Sequence, residues 1–357
     1  MSVDPGLPCA DYKLYRNRRN KPAITTVARS PRPRLDSNRD PLIHNTPMLP
    51  LAHGIDYVDV NFLGYQNIIA TAVLHGPAGV ALVDPGPSTS LAHLQESLER
   101  GGLRMRDVRQ VLLTHIHLDH AGAAGSIVKA HPHIEVFVHE RGAPHLSDPT
   151  KLLSSASRLY GQDMERLWGE FLPVPLDRLR VLKGGERIEA AGRTLDVAYT
   201  PGHASHHVSF FEPSSRIAFI GDTGGIRRGT GKYVMPAAPP PDVDLDLWRA
   251  SEARILEWDP DTLFLTHFGP YHGARTHFQE MMDRLVEWSR VARRQVEDQS
   301  LPDEERERRF VDEAVKDLKR AVGVQEAEQY ARAGSIAYSW HGLARYWRKK
   351  NAVKSAP

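Results

Sequence analysis

An α/β fold with a helical C-terminal extension is the architecture that this 357-residue sequence predicts, and three observations carry it. Short runs rich in valine, leucine and isoleucine alternate with stretches of helical period from Ile55 to His267, the pattern of a sheet buried between helical layers. Most of these runs end at glycine, proline, aspartate or histidine rather than fading out, as strands entering tight loops do. Beyond His267 the alternation stops and apolar residues recur at three- and four-residue intervals, which predicts helix.

IDYVDVNFL, from Ile55, and NIIATAVL, from Asn67, read as strands, and GVALVDPGP reads as a strand running into a turn at Asp84. TSLAHLQESLERGG has helical spacing and a glycine stop. VRQVLLT is an apolar strand ending at His115, AGAAGSIVKAH a short helix, and IEVFVHE the next strand. Residues 141–175 then interrupt the alternation with a helical insertion built from KLLSSASRLYG and DMERLWGEF. RIEAA and TLDVAYT, separated by Gly192-Arg193, and HVSFFE and RIAFIGD, joined by Pro213-Ser214-Ser215, predict an antiparallel meander. PDVDLDLWRASEARILEWD is helical after Asp244, and DTLFLTH is the last clear strand. In the tail, Phe278, Met281, Met282 and Leu285 mark one helix, Phe310 to Val322 a second, and SIAYSWHGLARYWRKK a third whose basic end suits the negative pole of the helix dipole.

Composition excludes several function classes. Hydrophobic residues make up 41% and charged residues 25%, ordinary globular usage, and no segment approaches the roughly 20 apolar residues that span a bilayer. A soluble, cytoplasmic protein with no membrane partner is expected. The single cysteine, Cys9, rules out a disulfide scaffold and any cysteine-based metal cluster held by one chain, so metal chemistry must use His, Asp and Glu. The net charge of +2 is uneven: residues 1–50 hold nine Lys/Arg against four Asp/Glu, which leaves −3 for the remainder. An acidic body argues against a nucleic-acid partner, which needs cations set against phosphates. Residues 1–46, with RNRRN, SPRPR and scattered prolines, read as a disordered basic leader, and Met48 is a candidate start of translation. The catalytic domain is then expected over 47–275 and the helical region over 276–357.

The chemistry concentrates in Thr114-His115-Ile116-His117-Leu118-Asp119-His120, at the exit of an apolar strand. Four metal-ligand side chains stand there in six residues, where a loop projects them into a cleft. The same arrangement recurs: Asp84 ends ALVD, His203 follows VAYTPG, Asp222 ends IAFIGD and His267 ends LFLTH. One such residue is an ordinary turn former; together they deliver imidazoles and carboxylates to one rim of the sheet. Five imidazoles and two carboxylates without thiolate suit Zn²⁺ and also admit Fe or Mn.

The pattern of Asp84, His115-x-His117-x-Asp119-His120, His203, Asp222 and His267 resembles the metallo-β-lactamase superfamily of metallohydrolases, over roughly residues 55–275. That resemblance implies an αβ/βα four-layer sandwich with two mixed sheets face to face. It also implies two zinc ions per chain: His115, His117 and His203 hold the first, Asp119, His120 and His267 the second, and Asp222 bridges them. Asp119 and Asp222 are thereby the catalytic carboxylates, and Asp84 a supporting residue that orients a histidine through its ring N–H. Two such ions sharing a water generate hydroxide at neutral pH, the expected nucleophile, with the oxyanion stabilised by one metal.

Within the superfamily the spacing narrows the activity. The 45 residues from Asp222 to His267 leave no room for the inserted domain of the RNA-processing nucleases, and His117 replaces the glutamate of the diiron flavoprotein branch. The sequence is similar to the glyoxalase II and lactonase branches, whose third motif TPGHASHH resembles. It departs from them at Gly225, where the lactonases carry a tyrosine, and in lacking a glutathione-site pattern in its C-terminal region. Hydrolysis of an ester, thioester or lactone of a small molecule is the leading expectation. Phosphodiester hydrolysis, a mononuclear iron persulfide dioxygenase and a non-catalytic sensor are the alternatives. His207 and Tyr233 are candidate pocket residues and proton donors, His206 lies beside them in sequence, and Leu152, Leu153, Leu159, Tyr160, Trp168 and Phe171 are candidates for an acyl pocket wall or for core. Gly224 to Pro241 is expected to be a rim loop. The helical tail either caps the sandwich or forms a homodimer interface.

Overall fold

The computed structural model describes residues 48–228, 231 and 233–354, so the basic leader expected over residues 1–46 lies outside the described residues. The first sheet holds seven strands in chain order: β1 (Leu49–Ala52), β2 (Ile55–Asp59), β3 (Ala70–Gly76), β4 (Gly79–Val83), β5 (Val108–Leu112), β6 (Glu135–His139) and β7 (Leu179–Leu182). β1 to β4 pair antiparallel, as short connections allow, whereas β4 to β7 pair parallel and need crossover helices. Those helices are α1 (Leu91–Arg100) after β4, α2 (Leu118–Ala121) and α3 (Ala124–Ala130) after β5, and α4 (Ala143–Ser147), α5 (Thr150–Tyr160) and α6 (Met164–Trp168) after β6.

The second sheet runs β13-β12-β11-β10-β9-β8. Its meander is β8 (Arg187–Ala190), β9 (Arg193–Tyr199), β10 (Val208–Glu212) and β11 (Ile217–Phe219), all antiparallel neighbours. Helix α7 (Leu245–Leu256) returns the chain to β12 (Thr262–Leu265), parallel to β11, and β13 (Gly269–His272) closes that edge. Helices α8 (Ala274–Glu297), α9 (Asp303–Val322), α10 (Val324–Ala333) and α11 (Ile336–Lys354) follow.

The period of two along a strand builds the layers. Ala81 and Val83 of β4 face the second sheet and pack with Leu112, Val197, Phe210, Phe219 and Phe264; their neighbours Val80 and Leu82 face out against Leu94 and Leu98 of α1 and Ile127 of α3. On the far side, Ala218, Leu263 and Leu265 meet Ile255 and Phe278. The result is the four-layer αβ/βα sandwich. The tail is no separate body: Leu285, Phe310, Tyr330 and Leu343 share one core with Ile226, Tyr233, Met235 and Trp248. Among the described residues, no helix is long and apolar enough to cross a membrane.

Three strands escape a reading by hydrophobic period. β1, β7 and β13 have four residues each, and Pro50, Arg180 and Pro270 interrupt them, whereas the equally short β12 keeps an unbroken Leu263-Phe264-Leu265 run. β7 is an edge strand whose central Arg180 and Val181 are both exposed, and β13 reads Gly-Pro-Tyr-His, a turn by composition.

Candidate metal centre

Every ligand-type residue named above sits within a few residues of the end of a strand, at one edge of the sandwich, Asp119 and His120 in the short helix α2. Asp84 follows β4, the His115–His120 run follows β5, His203 follows β9, Asp222 follows β11 and His267 follows β12. Two glycines allow the close approach. Gly202 has φ +134°, and a Cβ there would lie 2.3 Å from the Trp248 backbone, so the turn carrying His203 presses flat on α7. Gly221, at φ +44°, leaves a Cβ only 2.5 Å from Thr114 Oγ1, which brings Asp222 against the His115 loop.

The seven side chains form two adjoining groups. His115, His117, His203 and Asp222 offer ligand atoms within 4.8 Å of one another, as do Asp119, His120 and His267. His117 Nδ1 lies 2.9 Å from both His115 Nε2 and His203 Nε2. Asp222 spans the groups: Oδ2 is 3.4 Å from His203 Nε2, while Oδ1 is 3.2 Å from His120 Nε2 and 3.5 Å from His267 Nε2. Asp119 Oδ2 is 3.3 Å from His267 Nε2.

The nitrogens facing away from the centre are held. Nδ1 of His203 contacts the Ala237 carbonyl at 2.7 Å, Nδ1 of His267 the Ile68 carbonyl at 2.8 Å, and Nδ1 of His120 the Asp84 carboxylate at 2.8 Å. Donation to these acceptors fixes the tautomer that turns the Nε2 lone pair inward, the arrangement of metal-ligating histidines. Asp84 is fully buried and also accepts from Thr114 N–H, Thr114 Oγ1 and Thr266 Oγ1. It sits at φ +50°, a left-handed conformation that aspartate tolerates better than most residues.

Electrostatics favour a cation here. Burial opposes charge on His120, but Asp222, Asp84 and Asp119 outweigh it and hold its pKa well above the usual histidine value. Burial drives His115 and His117 the other way, His117 to about 3, with neighbouring imidazoles adding to the shift. Burial likewise opposes charge on Asp222, but His120, His267 and His203 outweigh it and hold its carboxyl well below the ordinary range. His120 Nε2 and Asp222 Oδ1 are buried with no hydrogen-bond partner among the described residues, a costly arrangement for polar atoms unless something else occupies the space between them. Inward-facing imidazole nitrogens, ionised carboxylates that already draw positive charge onto His120, and these two orphaned atoms fit divalent cations of the nitrogen- and oxygen-binding kind.

A cavity of about 410 Å³ opens on the cluster and exposes its His117, Asp119, Asp222 and His267 edge. Leu152, Leu159, Tyr160 and Trp168 of the insertion line it, whereas Leu153 and Phe171 pack into the core beside α1 and α3. Ile226 and Met235 to Asp242 form another wall, within the expected rim loop. Two candidates are corrected. Tyr233 is fully buried away from the cavity, its hydroxyl 3.1 Å from Asp317 Oδ2 and its ring under Arg284. His207 is fully buried behind His115, ring centroids 5.0 Å apart, and its Nδ1 meets Thr200 Oγ1 at 2.9 Å. Each stands in sequence between a polar and an apolar neighbour, His206 and Val208 or Lys232 and Val234, which gave no hint of direction. His206 takes the place expected of His207: it lines the cavity and stacks on His115 at 6.0 Å. No signal in the sequence pointed to Tyr65, Arg332 and Tyr338, which also line it.

The chain belongs to the Metallo-beta-lactamase superfamily, whose sequence pattern matches residues 65–267. A metallo-beta-lactamase fold-containing protein of Sulfurisphaera tokodaii is 26% identical over 221 residues, covering 60% of this chain and 78% of that one. A hydroxyacylglutathione hydrolase of Legionella pneumophila strain Lens is 27% identical over 141 residues, 40% of this chain and 41% of that enzyme; the match therefore spans less than half of it. Among solved structures, a metallo-beta-lactamase family protein of Thermus thermophilus superposes with a TM-score of 0.60 at 22% identity, over 85% of this chain and 96% of that one. The fold is that of metallo-hydrolases, and its His/Asp cluster could hold a divalent metal.

Proposed function

We propose that this protein is a dinuclear zinc hydrolase of small-molecule esters, thioesters or lactones. The observation that carries the reading is Asp222, whose two carboxylate oxygens face the two ligand groups separately. His115, His117 and His203 would hold one ion and Asp119, His120 and His267 the other, with Asp222 shared. When bound, two such ions lower the pKa of water toward 7 and polarise a carbonyl.

The chain's own residues do the rest. Asp119 borders the cavity with its side chain 23% exposed; burial opposes its charge, but His120 and His267 outweigh it and keep the carboxylate ionised at the cavity edge. His206 lines the same wall and is placed to contact the leaving group. The cavity volume lies within the roughly 300–1,000 Å³ of small-molecule sites, and its largely apolar walls exclude water from the carbonyl. The Legionella relative's name, a thioester hydrolase of an acylated glutathione, is in keeping with this bond class.

Elemental analysis of the purified protein, with turnover of an ester, thioester and lactone panel with and without chelator, tests the proposal. About two equivalents of zinc and chelator-sensitive turnover are expected, with a loss of at least 100-fold in Asp222→Ala. Absence of turnover in the metal-loaded protein, or full rate in Asp222→Ala, overturns it. Faster cleavage of bis(p-nitrophenyl) phosphate than of every carbonyl ester reassigns the site to phosphodiesters.

A further inference from the structure

Arg332 is the half-buried cation of the cavity. It stands in the last turn of α10, more than sixty residues beyond the final candidate ligand His267, and lines the cavity that the ligand cluster floors. Its guanidinium packs over the Tyr65 ring, Cζ 4.4 Å from the centroid, and Tyr65 lines the cavity too. Among the described residues Arg332 makes no salt bridge, and its buried Nε has no hydrogen-bond partner. Stacking on an aromatic face holds a guanidinium plane without using up its N–H fork.

The surroundings sharpen the need for an anion. Arg228 lies near enough that Arg332 adds to the effect of burial in disfavouring its charge. Arg228 spends its own donors on the Asn67 and Gln66 carbonyls and on Gln329, which ties the Tyr65 loop to α10 and fixes where Arg332 stands. Asp59 and Glu326 face Arg228. Two further cations, Arg141 and Lys151, are exposed at the cavity lining, where, among the described residues, Asp242 is the one carboxylate outside the ligand cluster; Asp242 already accepts from Ser205. The same cavity carries apolar walls: Phe62, Ile226, Trp168, and the Tyr160–Tyr338 pair, whose rings meet edge to face at 5.3 Å.

We propose that Arg332 determines substrate choice by binding an anionic group, a carboxylate or a phosphate, carried on an apolar chain whose hydrolysable carbonyl lies over the ligand cluster. The substrate class is then an amphipathic anion rather than a neutral ester, which deepens and rests on the hydrolase reading above. A guanidinium takes either oxyanion through two parallel N–H···O bonds, strengthened where water is scarce.

Isothermal titration of the holoprotein with octanoate, octyl phosphate and octanamide tests this without requiring turnover. At least one of the two anions should bind ten times more tightly than the amide in the wild type, and the anion identifies the group recognised. In Arg332→Gln the anion-to-amide affinity ratio should fall at least fivefold, while Arg332→Lys, which keeps the charge but not the planar fork and guards against misfolding, should retain part of it. An unchanged ratio in Arg332→Gln overturns the proposal, because the anion is then held elsewhere, as does the absence of anion preference in the wild type. Because dissociation constants are read independently of catalysis, anion binding through Arg332 without any hydrolysis would refute only the hydrolase reading.

Discussion

Asp84 Oδ2 lies 2.8 Å from His120 Nδ1, with both side chains fully buried. The same carboxylate ties Thr114 at the end of β5 to Thr266 at the end of β12, so one residue aligns two ligand-bearing loops. Removing its charge in Asp84→Asn leaves an NH₂ facing groups that donate. Zinc affinity, measured by competition with a chelating dye, should fall 10- to 100-fold, with a lower melting temperature. Unaltered affinity would mean that packing alone orients the His120 ring.

Chelation should destabilise the protein, because ions that bind only the folded state add stability by mass action, about 4 kcal/mol at a thousand times the dissociation constant. The melting temperature is expected to fall on treatment with EDTA and to recover on adding Zn²⁺. His115→Ala and Asp222→Ala should blunt that recovery, since each removes a side chain from the cluster. A full response in both variants would place the metal elsewhere.

Glu252 supplies a pH dependence separate from the ligand cluster. It is 6% exposed, its Oε1 lacks a hydrogen-bond partner among the described residues, and burial pushes its pKa up to about 9. The folded protein therefore favours the neutral acid, while the unfolded chain ionises near pH 4.3. Stability from this group is complete below about pH 4 and is lost as pH rises toward 9. Glu252→Gln should raise stability by about 1–3 kcal/mol at pH 8 and by little at pH 4. A gain that does not change with pH in thermal melts would contradict this assignment.

Tyr233→Phe distinguishes core from pocket. The substitution removes a hydroxyl contact to Asp317, which keeps its ion pair with Arg284, so stability should drop by about 1 kcal/mol. Turnover of any substrate found should stay within twofold. A tenfold loss in kcat/KM at unchanged stability would return Tyr233 to the site.

Much of the fold was legible because most strands are either apolar runs that end at turn residues, as in β4, or carry a period of two, as in β9. The seven metal-ligand candidates were legible for a related reason: each sits within a few residues of an apolar strand, so a local pattern also fixes a place at the sheet edge. The direction of a side chain is a different matter. His206 and His207 are adjacent, yet one lines the cavity and the other is buried behind His115, because a turn closed by His207 N–H on the Ala204 carbonyl at 3.3 Å leaves His206 at its outside and sends His207 inward toward β10.

By itself, then, the sequence determined the α/β layering, the set of candidate ligands and the absence of cysteine from residue 10 onward, since each depends on residue type and short spacing. Only the tertiary structure decided what surrounds the cluster. Asp84 meets Thr266 across 182 positions, and the cavity draws Tyr65, Tyr160, Met235 and Arg332 from four distant segments. Their meeting depends on how the insertion, the loop after β2 and the tail pack against the sandwich, and no local spacing encodes that. The physical reason is that packing selects complementary shapes between segments rather than patterns within them.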